Sequence, residues 1–75
     1  MHIRKMIGKK VIFRVGRSHF GKTIFVEYEG FLLRLKGENI EVLATQVKSR
    51  GIIHPNPKRP LTFPVDELRY LRPKN

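Results

Sequence analysis

Apolar and polar residues alternate in short runs along most of this chain. Between Lys9 and Val15, one face collects Val11, Phe13 and Val15 while Ile12 and Arg14 fall on the other. Side chains of a strand point to opposite sides with a period of two, so this run predicts a half-buried strand. From Ile24 to Tyr28 the apolar positions Ile24, Val26 and Tyr28 are even, with Glu27 and Glu29 on the opposite face. From Phe31 to Leu35 the positions Phe31, Leu33 and Leu35 are odd, with Arg34 and Lys36 opposite. Gly30 stands where the parity flips, which predicts one long strand bent or bulged there, with Phe31 returned to the core side. Lys36-Gly37-Glu38-Asn39 reads as a tight turn, and Ile40, Val42 and Ala44 as the inner face of the returning strand.

The rest of the chain is more broken. Gly16 to Lys22 reads as a glycine-bounded loop. Val47 points inward, with Gln46, Lys48 and Arg50 outward, and the run ends at Gly51-Ile52-Ile53. Pro55, Pro57 and Pro60 exclude a central strand or a helix between His54 and Pro60. Leu61-Thr62-Phe63 suits a short edge strand ended by Pro64, and Asp66-Glu67-Leu68 a single helical turn. Arg69-Tyr70-Leu71-Arg72 is the closing strand and Pro73-Lys74-Asn75 a tail. Phe13, Tyr28, Phe31, Phe63 and Tyr70 are expected in the core, with Phe25 outside on the face of the two glutamates.

Five or six short strands, with no amphipathic stretch of helical length, predict an all-β fold: a small antiparallel barrel with one short helical turn. The stretches Gly8-Lys9-Lys10-Val11-Ile12-Phe13, the kinked Ile24 to Leu35, and Phe63-Pro64-Val65-Asp66-Glu67-Leu68-Arg69-Tyr70-Leu71 resemble an SH3-like barrel. The resemblance covers nearly the whole chain at the level of fold, and implies one domain over residues 1–75. The Sm-like variant of such barrels has an acidic residue where Lys36 stands, so no Sm-type RNA contacts are carried across.

Composition bounds the function. Seventy-five residues support one modest core and no deep catalytic cleft. The chain has no cysteine, which removes disulfides and thiolate metal sites and favours an intracellular, cytoplasmic setting. No apolar run is long enough to span a membrane, and residues 1–8 lack the apolar run of a secretory signal. The net charge of +10 is unevenly spread: residues 1–26 hold seven basic residues and no acidic one. Such a field attracts polyanions before any specific contact forms.

Gly16-Arg17-Ser18-His19-Phe20-Gly21-Lys22-Thr23 matches the phosphate-binding pattern G-x-x-x-x-G-K-[ST]. That chemistry needs a helix to start at the lysine, so that its N-terminus meets the anion. Ile24-Phe25-Val26-Glu27-Tyr28-Glu29 follows instead, a strand by propensity and by alternation. Nucleotide hydrolysis is therefore not expected, and neither is any other enzymatic activity. Glu27 and Glu29 share a face with no nucleophile or base beside them, and read as a solvent face opposite basic neighbours. His2, His19 and His54 stand singly, so no metal or other cofactor is expected.

The expected activity is non-enzymatic nucleic-acid binding, DNA or RNA. Arg17, Lys22, Lys48, Arg50, Lys58 and Arg59 would hold phosphates from one basic face, and His19 and Phe20 would stack on unpaired bases. The alternative is a protein-interaction module, either an accessory subunit or an inhibitor of phage or plasmid type, docking on an acidic protein. Oligomeric state is left open.

Overall fold

Alternation on this scale builds antiparallel sheet, and six strands account for most of the residues 3–55 and 57–74 that the computed structural model describes. A 3-10 turn at Ile3–Met6 leads into β1 (Lys10–His19), β2 (Lys22–Lys36) and β3 (Asn39–Ser49). β4 (Ile52–His54), β5 (Pro60–Pro64), a second 3-10 turn at Val65–Glu67 and β6 (Leu68–Pro73) follow. The strand order is β4-β3-β2-β1-β6, all antiparallel, and β5 pairs with the N-terminal half of β3. Among the described residues no pairing joins β5 to β6, so the sheet curls without closing.

The core lies on the concave side. Val11, Phe13, Val15, Leu32, Ile40 and Val42 are essentially inaccessible to water there, with Tyr28, Phe63 and Leu71 beside them. Phe13 stacks on Tyr28 with ring centroids 5.5 Å apart and meets the edge of Phe63 at 5.1 Å. Such pairs add to plain area burial. Met6, from the basic lead-in, is also buried against this cluster. Ile12 is buried too, although it points the other way, where its neighbours across the sheet are Glu29 and Arg72.

The long strand bends differently from its apolar pattern. Tyr28, Gly30 and Leu32 continue one inward face without a flip, and Phe31 stays 40% exposed. Two register shifts bracket this region. In the first, Glu29 and Gly30 face Gln46 and Ala44, which leaves Thr45 as an extra residue on β3. The Thr45 hydroxyl donates to the Glu29 carbonyl at 3.1 Å and satisfies a group the bulge would otherwise strand. In the second, Leu32 and Arg34 face Val42 and Glu41, so Leu33 is the extra residue and is exposed. The parity therefore changes at Leu33, and Leu35 turns back towards the core.

Gly30 is special for a reason other than backbone freedom. Its φ lies outside the left-handed region. A Cβ built there would run into the Leu43 carbonyl oxygen and lie 2.7 Å from the Ala44 Cα. Backbone of β3 crosses where a side chain would be.

Other expectations shift by a few residues. The closing helical turn is Val65–Glu67, and the segment expected to be a tail is held: the Lys74 amide donates to the Lys10 carbonyl at 2.9 Å. Asn75 and His2 lie outside the described residues. Tyr70, expected in the core, is 68% exposed at a bulge where Ile12 and Arg14 face Arg72 and Arg69. It adopts a φ of 58° and lies under the Arg14 guanidinium, 5.4 Å from the ring centroid.

Candidate nucleic-acid interface

The segment Gly16–Lys22 is a β-arm and not a loop. β1 and β2 stay paired without a break from Lys10↔Phe31 to His19↔Lys22, leaving only Phe20 and Gly21 in the turn. Both turn residues have positive φ, 49° and 74°, the signature of the two-residue turn whose twist matches a hairpin. β6 stops pairing at Val15 and β3 at Val26, so from Gly16 to Phe25 no strand pairs with either edge of the ribbon among the described residues, although Asp66, Glu67 and Arg69 line a groove with Gly16, Thr23 and Phe25 at its root. It projects from the body. Lys22 and Thr23 open a strand and not the helix whose N-terminus the phosphate-loop pattern would need to receive the anion.

Pairing assigns the arm's faces. Arg17 faces Ile24 and His19 faces Lys22, all continuing the concave side of the sheet. Ser18 faces Thr23 and Gly16 faces Phe25 on the other side. Phe20, at the tip, is 93% exposed, and its ring meets the edge of His19 with centroids 4.4 Å apart. The left-handed backbone region costs a residue with a Cβ on the order of 1 kcal/mol, and asparagine or glycine relieves that cost. A bulky apolar ring in that conformation, fully in water, contributes nothing to the fold.

Charge is sorted between arm and body. On the convex face Glu29 binds Lys10 at 3.5 Å and Lys74 at 3.3 Å, and Glu27 binds Arg14 at 3.3 Å. Arg34 binds Glu41 at 3.2 Å. Each exposed pair is worth at most about 1 kcal/mol, but together they spend half of the acidic side chains on body residues. Arg17 and Lys22 have no ion-pair partner among the described residues.

The remaining candidate residues are dispersed. Arg50 forms a turn with Gly51 between β3 and β4, next to the arm's root, since Ser49 pairs with Val26. Lys48 faces Glu27 and therefore lies on the convex side, away from Arg17 and Lys22. Lys58 and Arg59 precede Pro60, which pairs with Leu43 well down β3 from the arm. The basic groups brought together are thus Arg17, His19 and Lys22, with Arg50 at the root. Sequence reasoning missed the arm because Gly16 and Gly21 look like loop boundaries, whereas Gly16 sits mid-strand against Phe25. The available signal was Thr23 to Tyr28, a β-prone run whose partner must extend past Val15.

An open depression of about 770 Å³ is lined by Ile3, Leu35, Asn39, Val65 and the carboxylates of Glu38, Asp66 and Glu67, the last two of which also line a smaller groove at the arm's root with Gly16, Thr23 and Phe25. Among the described residues no cluster of three His, Asp or Glu side chains could hold a metal ion, and no helix is long and apolar enough to cross a membrane. In comparisons with known proteins, no family model, no curated protein and no solved structure matches this chain.

Proposed function

We propose that this chain is a small SH3-like barrel without enzymatic activity that binds nucleic acid through its β-arm. The observation that carries the reading is the arm itself: a ribbon with free edges, bearing Arg17, His19 and Lys22, no carboxylate, and an exposed aromatic tip. The strand order, the 3-10 turn before the last strand and the bent β2 support the barrel, short of closure. Lys and Arg side chains on such a ribbon neutralise phosphates and release counterions, which makes binding strong at low salt and weak at high salt.

The test compares two variants of equal charge. Arg17→Glu with Lys22→Glu reverses the arm, and Lys9→Glu with Lys36→Glu changes the body by the same amount at exposed positions. By fluorescence anisotropy on a labelled duplex, the arm variant should weaken binding at least about tenfold and flatten the salt slope by about one unit per lost contact. The body variant should do much less. Equal losses in the two variants would assign the binding to net charge and remove the arm from it.

A second reading has one observation in its favour. β4 is an edge strand whose Ile52 and Ile53 are both exposed, the kind of edge on which a protein partner adds a strand. Capture of a partner that survives nuclease treatment and is lost with Ile53→Lys would favour it.

A further inference from the structure

Phosphate binding by Arg17 and Lys22 does not require a phenylalanine at the tip. Building on the nucleic-acid reading above, we infer that the arm enters duplex DNA and that Phe20 wedges between adjacent base pairs, opening one step and bending the duplex.

Geometry favours a duplex over a single strand. Proteins that hold single strands offer several aromatic faces along a groove, so that successive bases stack in turn. Among the described residues Phe20 has one aromatic neighbour, His19, which meets it at 69° between ring planes, so the two rings cannot present parallel faces to successive bases. Phe25 is at the arm's root on the opposite face of the ribbon from His19. A single ring on a narrow support suits insertion into a stack.

Dimensions agree. From Gly16 to Phe20 the ribbon is about 13 Å long at the usual rise per strand residue. The grooves of B-form DNA are about 7.5–8.5 Å deep, less than that length, so a tip of this kind is long enough to reach the base pairs. Arg17 and Lys22, set back from the tip on one face, then lie level with the flanking phosphates. The two-residue turn keeps the tip narrow, and both of its residues have left-handed backbone, which holds Phe20 at the apex. A-form RNA is a poorer host, because its major groove is too deep and narrow to admit side chains. Steps that unstack easily, such as TA and CA, should be preferred without any hydrogen bond to a base edge.

Phe20→Asn separates the wedge from everything else. Asparagine tolerates the left-handed conformation better than phenylalanine, so this variant should fold at least as well as the wild type. Both proteins are titrated onto a duplex of about 25 base pairs, with a central TA step carrying 2-aminopurine and a donor–acceptor pair at its ends. With the wild type, 2-aminopurine emission should rise at least about twofold and end-to-end transfer should increase, as for a kink of about 20–90°. With Phe20→Asn both signals should vanish while affinity falls by less than about tenfold, and Phe20→Leu should restore part of each. If the wild type binds but neither signal moves, or if Phe20→Asn moves them equally, the wedge is wrong and phosphate binding by the arm still stands. Tighter binding to the unpaired strand, or to an RNA duplex of the same sequence, overturns it as well. If no duplex is bound at low salt, the nucleic-acid reading fails and the wedge fails with it.

Discussion

Adding one methyl group at Gly30 should cost this protein much of its stability. Gly30→Ala is expected to lose about 3 kcal/mol or more, and Gly30→Val at least as much, since forced overpacking costs about 1–3 kcal/mol and more where backbone must move. The new Cβ would meet the Leu43 carbonyl and the Ala44 Cα, which are main-chain atoms that no rotamer change can clear. β2 and β3 would have to separate where both cross the core, loosening Leu32, Val42 and Ala44 together. The alanine variant is the informative one. Were Gly30 needed for unusual dihedrals, alanine and valine would both suffer from strain, but its φ is not left-handed. Were it dispensable, alanine would stabilise the strand by about 0.5–1 kcal/mol, as replacing a strand glycine ordinarily does. For a domain of this size, 3 kcal/mol lowers the melting temperature by roughly 12 °C or more. A Gly30→Ala protein melting at the wild-type temperature would contradict the close approach of the two strands.

The same strand shows what a sequence of this kind discloses. Ile40, Val42 and Ala44 alternate with Glu41 and lie on the inner face as expected, because a charged residue marks the outside of a two-sided strand. Across Phe31, Leu32 and Leu33 no such marker exists, since all three are apolar, and Arg34 fixes the parity only beyond Leu33. The choice is made by the bulge at Leu33, which depends on pairing with β3 and leaves no local trace. Gly30 was recognisable as exceptional, yet its cause lies in a neighbouring strand's backbone. The ion pairs of Glu27 and Glu29 with basic neighbours were foreseeable from charge alone. Their partners Lys10, Arg14 and Lys74 were not, since cross-strand and terminal contacts require the register. The same holds for the candidate interface. Arg17, His19, Phe20 and Lys22 stand out by composition, but the place of Lys48 on the other side of the sheet, against Glu27, is invisible in one dimension.

The sharpest consequence of that register is an asymmetry between adjacent leucines. Leu32→Ala should cost about 3–5 kcal/mol, in the range for emptying a core position, whereas Leu33→Ala should cost less than about 1 kcal/mol. Leu32 is inaccessible to water among Ile40, Val42 and Phe13, while Leu33 is 37% exposed with no Cα partner on β3. The backbone of Leu32 is also doubly anchored: its amide donates to the Lys9 carbonyl at 3.0 Å, and its carbonyl accepts from the Gly8 amide at 2.7 Å. Those bonds fix its side chain inward, so the cavity left by alanine cannot be filled by a slip of the strand. A shift by one residue would instead place Leu33 and Phe31 inside and turn Gly30 and Leu32 outward, reversing the prediction. Urea unfolding of the two single variants and the double variant decides between these registers. Equal losses at the two positions, or a larger loss at Leu33, would place the change of parity at Gly30. The double variant should lose little more than Leu32→Ala alone, because Leu33 lies on the exposed face of the sheet.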